Sequence, residues 1–314
     1  MESTPTYEIY SVFFIDINNI LVYNNCGNKK GDNNMANILD GKGLAKKIRE
    51  KLKEEVEELK NNGVFPKLAV IMVGNDPGSK IYVRNKSNAC EEIGIAYEEF
   101  LLEDNIEMTE LLELINELNN RADIHGILLQ SPIPKNLDIN EAFKTINPKK
   151  DVDGFNPMNV GKLCLGQDTF ISCTPYGVIR MLEEYNVDIE GKNAVVIGRS
   201  NIVGKPMLQC LLNKNATVTI CHSKTVNLPE ITKNADILVA AIGKAKFVTG
   251  DMVKEGAVVC DVGINRNDDN TISGDVDYEE VSKKASYITP VPGGVGPMTI
   301  AMLMENIVKA AKNV

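Results

Sequence analysis

From residue 39 onward the hydrophobic positions follow two rhythms: spacings of three and four inside long polar segments, and short continuous apolar runs bounded by Gly, Pro or Asn. The first rhythm predicts amphipathic helices and the second buried strands, so their alternation predicts βαβ units on a mainly parallel sheet. In the first half, helices are expected over 42–61, 78–93 and 108–119, and strands over 68–73, 96–101 and 124–129. Residues 132–174 lack long periodicity and carry several Pro and Gly residues, which predicts a connection between two domains. A helix near 175–185 follows, then five short β-branched runs at 194–197, 216–221, 237–242, 258–262 and 287–289, the pattern of a doubly wound nucleotide-binding sheet. The last helix, 298–312, comes after a glycine-rich loop at 292–297 and has no strand behind it, so it is expected to pack back on the first domain.

The expected architecture is therefore α/β with two domains, an N-terminal α/β domain over 35–173 and a C-terminal Rossmann-type doubly wound parallel-sheet domain over 174–297. Residues 298–314 return to the first domain, and a cleft lies between the two. Residues 1–34 differ in texture, being Asn-rich around Asn24, Asn25, Asn28, Asn33 and Asn34, whereas Met35 opens the periodic part. They are expected to be an appendage ahead of a natural start at Met35. The apolar run at 7–23 is broken by Asp16 and preceded by no Lys or Arg, so it reads as neither a signal peptide nor a membrane span.

Composition narrows the function. With 314 residues, 43% hydrophobic, the chain can bury two cores, and its net charge of −9 argues against a nucleic-acid partner. The seven cysteines form no CxxC pair and read as reduced thiols of a cytoplasmic protein. Two histidines, His125 and His222, leave no zinc cluster and little room for a Ser/His/Asp triad.

Chemistry concentrates in five places. NAVVIGRSNIVGKP at 193–206 reads as a strand, a tight turn and a helix start, which aims backbone N–H groups at a pyrophosphate. Gly198 and Gly204 are spaced more widely than in GxGxxG, so a bare strand-to-helix turn fits as well. After the next strand come His222, Ser223 and Lys224, with no carboxylate for a ribose 2′-hydroxyl. Arg199 and Ser223 are instead candidates for a 2′-phosphate, because a guanidinium donates two aligned hydrogen bonds and stays charged, which favours NADP over NAD.

In the first half, Tyr82, Lys86, Ala89 and Ile93 fall on one helical stripe, so Lys86 occupies a place expected to be apolar. Either it faces a cleft, where a lysine can serve proton transfer, or its stem snorkels along the surface. The strand at 124–129 delivers Gln130 to its carboxyl edge, where ligands gather in open α/β sheets, and His125 near its start reads as structural. Asp151 and Asp153 are two apart, on one side if that segment is extended, which fits a metal pair or a solvated loop. PGGVGPMTI at 292–300 combines prolines and glycines before a helix, allowing backbone to approach a flat ligand closely.

Taken together, Tyr82 with Lys86, Gln130 with Pro132, DVDG at 151–154, Gly198 with Arg199 and Ser200, and PGGVGPMTI at 292–300 resemble the bifunctional methylenetetrahydrofolate dehydrogenase/methenyltetrahydrofolate cyclohydrolase family. The resemblance runs from about Ile38 to the carboxyl terminus and departs at Ser131, where the family usually has Leu, which puts the packing of the pocket in question. It implies oxidation of 5,10-methylenetetrahydrofolate with NADP and hydrolysis of the methenyl product to 10-formyltetrahydrofolate, one-carbon chemistry that feeds purine biosynthesis. It further implies a folate-binding catalytic first domain, an NADP-binding second domain, and a homodimer. Lys86, Tyr82 and Gln130 would be catalytic; Tyr82, Asp153, Pro292, Gly293 and Gly294 would hold tetrahydrofolate derivatives; Gly198, Arg199, Ser200, Ser223 and Ile264 would hold the cofactor; no metal is implied. A shikimate-type dehydrogenase would not account for 292–300, and a non-catalytic nucleotide sensor would have no use for Lys86, Gln130 and Asp153 together.

Overall fold

The computed structural model describes residues 35–313 except 268 and 270, so the expectation for residues 1–34 falls outside the described part. The described chain enters through a two-residue strand, β1 (Asn37–Ile38), and a long helix, α1 (Gly41–Asn61). That helix starts where the Asp40 carboxylate accepts the Gly43 N–H at 2.9 Å, and it buries Leu44, Ile48, Leu52 and Val56 along one stripe. Then β2 (Lys67–Val73), α2 (Pro77–Ile93), β3 (Ala96–Leu102), α3 (Met108–Asn120) and β4 (Gly126–Leu129) build a three-stranded parallel sheet in the order β3, β2, β4. Strand β2 is apolar from Leu68 to Val73 because both faces are covered. Leu68, Val70 and Met72 join a core with α1 and α2, while Ala69, Ile71 and Val73 join one with Leu111, Ile115 and Leu118 of α3.

Two short helices, α4 (Ile139–Thr145) and α5 (Pro157–Cys164), occupy the stretch expected to be irregular. Each is too short to show a 3.6-residue period; side-chain caps at Asp138 and Asn156 start them instead. Next come α6 (Cys173–Glu184), β5 (Asn193–Ile197), α7 (Gly204–Leu212), β6 (Thr217–Cys221), α8 (Leu228–Thr232), β7 (Ile237–Ala240) and β8 (Val258–Asp261). A small antiparallel pair, β9 (Asn265–Arg266) with β10 (Ile272–Ser273), precedes α9 (Tyr278–Val281), β11 (Tyr287–Ile288) and the final helix α10 (Val295–Lys312). The large sheet is parallel in the order β1, β11, β8, β7, β5, β6. The chain runs from β5 outward to β6 and then crosses to β7, so the strand order reverses between β5 and β7, the crevice where a doubly wound sheet receives a ligand.

Three expectations are corrected. Strand β1 was not foreseen, because two residues carry no period, and it pairs with β11 of the large sheet rather than with the small one. The loop expected over 292–297 is shorter, since α10 begins at Val295 and takes Gly296 and Pro297 into its first turn. The strand expected from Ile124 begins at Gly126, and His125 instead accepts the Lys67 N–H on its Nδ1 at 3.3 Å.

Helix α10 lies against α1, α6 and α2. Its approach to α6 is close at Gly177, where a Cβ would come within 2.9 Å of the Met298 Cβ. Among the described residues no helix is long and apolar enough to cross a membrane. Gly177→Val is expected to lower the unfolding free energy by about 1–3 kcal/mol, because the two helices must part to admit the side chain. Chemical denaturation checks this, and an unchanged midpoint and slope would mean that the contact yields freely.

Candidate active site

Helix α2 begins where Asp76 accepts the Ser79 N–H at 2.7 Å, and one turn later its stripe brings Tyr82 and Lys86 toward the carboxyl edge of the small sheet. Gln130 follows β4 at that edge, buried, and its Oε1 accepts a hydrogen bond from Lys86 Nζ at 3.0 Å. The Gln130 amide nitrogen donates to Ser131 O at 2.7 Å, which fixes which end of the amide meets the ammonium. Tyr82 is 42% exposed, leaving ring surface for a flat ligand, and Arg266 from β9 lies within electrostatic reach of its hydroxyl. Burial raises the Tyr82 pKa and Arg266 opposes the shift, so the hydroxyl stays protonated at neutral pH.

The two aspartates part company. The segment turns at 152–153 instead of running extended, so the carboxylates do not share a side. Asp151 points into the protein, where it accepts the N–H groups of Phe155 at 3.1 Å and Asn156 at 2.8 Å and the Asn159 amide at 2.8 Å. Asp153 is the one that reaches the site. Burial raises its pKa, and the Lys86 ammonium and the Cys173 thiol beside it pull the other way. Among the described residues no group of three or more His, Cys, Asp or Glu side chains gathers.

The turn after β5 is closely built. Gly198 has φ of 123°, and a Cβ there would collide with Ala241 O, so only glycine fits. Ser200 Oγ accepts the Val203 and Gly204 N–H groups at 3.1 and 3.3 Å, shaping the entry to α7. Gly198 N donates to Cys221 O at 2.9 Å, so Arg199 and Ser223 stand at the ends of adjacent strands, both exposed and neither engaged by another side chain among the described residues. These features fit a phosphorylated dinucleotide: a glycine cradle, a helix start, and an Arg and a Ser free to receive a phosphate with no acid to repel it.

The 292–300 segment closes the ring of residues. Gly294 packs on the start of α1, and Gly293 O accepts the Lys42 N–H at 2.8 Å, while Pro292 is exposed. Thr299 shares a 3.0 Å hydrogen bond with Thr174, next to Cys173, and Ile264 approaches Gly296 from the loop after β8. A hydroxyl one residue earlier, Ser172 Oγ, donates to Ile202 O of the β5 turn at 2.6 Å. Short contacts thus join Lys86 to Gln130 and Asp153 to Cys173, and Ser172 to the β5 turn, while Arg199, Ser223 and Pro292 are exposed.

Two residues there are absent from the sequence reading. Cys173 stands alone in its motif, yet its Sγ lies 3.6 Å from Asp153 Oδ1 and burial raises its pKa well above the usual thiol range. Asn306 is a polar residue on the apolar face of α10, a detectable anomaly, and its amide donates to Val152 O at 2.8 Å and Ile171 O at 3.2 Å. A cavity of about 400 Å³ between α1, α6 and α10 lies elsewhere; its charges pair off as Arg180 with Glu305, Lys309 with Asp168 and Lys312 with Glu55.

Two family models match in succession: "Tetrahydrofolate dehydrogenase/cyclohydrolase, catalytic domain" over residues 39–153 and "Tetrahydrofolate dehydrogenase/cyclohydrolase, NAD(P)-binding domain" over residues 172–314. The chain belongs to the tetrahydrofolate dehydrogenase/cyclohydrolase family. It is 57% identical to the bifunctional protein FolD of Acetivibrio thermocellus over 277 residues, 88% of this chain and 97% of that protein. It is 58% identical to the FolD of Campylobacter concisus over 275 residues, with the same coverage. Among solved structures, the bifunctional FolD methylenetetrahydrofolate dehydrogenase/cyclohydrolase from Campylobacter jejuni superposes with a TM-score of 0.88 at 54% identity, covering 88% of this chain and 99% of that one. The Trypanosoma brucei enzyme, solved with NADP cofactor and inhibitor, gives 0.85 at 36% identity, covering 89% and 98%.

The two family segments end and begin at Asp153 and Ser172, so the contact between Asp153 and Cys173 joins them directly. Behind that contact, burial pushes the Asp151 carboxyl up to about 6, against its hydrogen-bond donors. An unfolded Asp titrates near 4, so its contribution to stability is complete below that pH and lost as pH rises through about 6. Between pH 7 and pH 4 the wild type is expected to gain about 2 kcal/mol relative to Asp151→Asn. Denaturation of both proteins across that range tests this, and a constant offset would show that Asp151 does not titrate as its burial requires.

Proposed function

We propose that this chain oxidises 5,10-methylenetetrahydrofolate to the 5,10-methenyl cation with NADP and hydrolyses that cation to 10-formyltetrahydrofolate. The observation that carries the reading is the 3.0 Å hydrogen bond from Lys86 to Gln130, beside Asp153 and next to the exposed ring of Tyr82. Family membership supports both activities, and with it the expectation of a cytoplasmic homodimer serving one-carbon metabolism and purine biosynthesis. On this reading residues 35–173, with α10 returning to them, form the folate domain, and 174–297 form the cofactor domain.

Asp153 accepts hydrogen bonds from the pterin while Tyr82 stacks on it, and Pro292, Gly293 and Gly294 let backbone approach the ring system. In the oxidation, a hydride leaves the methylene carbon and the lone pairs of its two nitrogens stabilise the resulting cation, so positioning is the chief requirement and no dedicated base is needed. Bound at Gly198, Arg199, Ser200, Ser223 and Ile264, NADP supplies the hydride acceptor.

Hydrolysis needs proton management. Water adds to the methenyl carbon and loses one proton, leaving a hydroxyl; the bond from that carbon to N5 then breaks as N5 takes up a proton and the hydroxyl gives up its own, so the added oxygen becomes the formyl carbonyl and one proton is released overall. Lys86 stands where it can move these protons, and Gln130 holds its Nζ in place. Lys86→Met is expected to lower cyclohydrolase turnover by about 10²–10⁴-fold while NADP binding persists. Normal formyl-folate production by that variant would remove Lys86 from the mechanism.

The preference for NADP rests on Arg199 and Ser223 standing where an NAD site carries an acid. Arg199→Ala is expected to cut kcat/KM for NADP by about 10–100-fold and that for NAD far less. An equal loss with both cofactors would separate Arg199 from the 2′-phosphate. The parent experiment supplies 5,10-methylenetetrahydrofolate with NADP or NAD and follows reduced cofactor, methenyl intermediate and formyl product; no folate-dependent reduction of either cofactor would defeat the reading.

A further inference from the structure

Behind the cofactor edge of the large sheet a fully buried carboxylate, Asp275, has no part in the reaction as described. Its Oδ2 accepts the N–H groups of Ile242 at 2.6 Å and Gly243 at 3.0 Å, and its Oδ1 accepts the Lys244 N–H at 2.7 Å and the Asn265 amide at 2.9 Å. Three of these donors lie on the loop after β7, and the fourth, Asn265, opens β9 directly after the loop that follows β8. One charged group therefore ties together the two loops that leave neighbouring strands at the carboxyl edge.

A second carboxylate holds the first. Asp261, the last residue of β8, accepts the N–H groups of Asp275 and Val276, each at 2.9 Å, and of Gly263 at 3.0 Å. Two glycines make room for the pair. A Cβ on Gly263 would strike the Asp275 carboxylate, and one on Gly274 would strike that of Asp261. A buried charge with this many donors on two loops costs several kcal/mol if left unpaired, so it persists only because it is fully satisfied.

The place of the clamp gives it a function. In a doubly wound sheet the pyrophosphate sits on the turn after the first strand of the domain, here β5, and the two halves of the dinucleotide spread to either side of it. Arg199 and Ser223 mark the β6 side for the 2′-phosphate half. The β7 and β8 side is left for the nicotinamide half, and it ends in the two loops held by Asp275; Ile264, a predicted cofactor contact, lies between Gly263 and Asn265 on the second of them. Resting on the cofactor reading above, we propose that Asp275 is a positioning residue for the nicotinamide half of the dinucleotide, holding the loops at 242–244 and 263–265 in the spacing that receives it.

The test measures NADP affinity directly, by calorimetry or quenching of protein fluorescence, alongside the Michaelis constants of both substrates. Asp275→Asn replaces two acceptor oxygens by one and is expected to weaken NADP binding about tenfold or more, because backbone donors are left unpaired. The KM for NADP should rise in step, while the KM for methylenetetrahydrofolate should change by less than about twofold. Asn265→Ala removes the link to Asp275, together with a longer 3.4 Å hydrogen bond to Ser273 O, at a part-exposed position, and is expected to weaken NADP binding about three- to tenfold. If Asp275→Asn loses cyclohydrolase turnover measured without dinucleotide, it has not folded, and Asn265→Ala decides alone. Wild-type affinity for NADP in Asn265→Ala and in any folded Asp275→Asn protein overturns the proposal. If NADP affinity is also indifferent to Arg199→Ala, the cofactor reading fails with it; if Arg199→Ala weakens binding, only the clamp fails.

Discussion

One buried amide governs the geometry on which the site depends. Asn306 is 3% exposed on a helix whose other inward residues are Met, Ala, Leu, Ile and Val, and its donors are committed to Val152 O and Ile171 O. Leaving either carbonyl without a donor in that apolar surround would cost about 1–3 kcal/mol, so the two segments are held to α10 and to each other. The first carries Asp153 on its next residue, and the second leads through Ser172 to Cys173. Gly154 allows the two backbones to touch, since a Cβ there would lie 2.7 Å from Ser172 N. The distances that bring a carboxylate, a thiol and an ammonium together descend from this stitching, although Asn306 itself is remote in sequence from all of them.

Ser172 extends the same constraint toward the cofactor. Its hydroxyl reaches Ile202 O in the turn that opens with Gly198, so the segment after Asp153 and the turn after β5 are joined by a short hydrogen bond. The C-terminal helix makes the arrangement durable. By lying on α1, α2 and α6 at once it shares core residues with β2 of one sheet and β5 of the other, so one face of each sheet belongs to a single apolar cluster. A cleft built this way has stiff walls, and stiffness is what a reaction limited by positioning requires.

Much of this was legible because burial imposes a period. The stripe through Tyr82, Lys86, Ala89 and Ile93 exposed Lys86 as a charge in an apolar place, and the structure gives it a partner in Gln130 rather than a path along the surface. Asp151 and Asp153 were not separable by spacing, only by the family resemblance, because an alternating pattern speaks only for extended chain, and here the chain turns between them. The helices α4 and α5 and the strands β1, β9 and β10 are shorter than the window over which any period can be read. Cys173 was silent for a different reason: a lone cysteine has meaning only through its neighbours in space.

The two proposed chemistries draw on different parts of this framework, which is why one cleft can hold both. Hydride removal asks for two planar groups at a fixed separation, and the walls supply it: the 292–294 turn on one side and the loops after β7 and β8 on the other. Hydrolysis asks for a mobile proton, and the single flexible charged side chain among the catalytic residues is Lys86, restrained at its tip by Gln130 and balanced by Asp153. A rigid carboxylate in place of Lys86 would face Asp153 as a like charge, with one of the two forced to stay protonated, and would place no positive charge beside it. A lysine avoids that conflict and leaves the Asp153 carboxylate for the role proposed for it. On the proposed roles, the sign of the charge at position 86 is therefore set by its neighbour Asp153 as much as by the proton transfer proposed for Lys86.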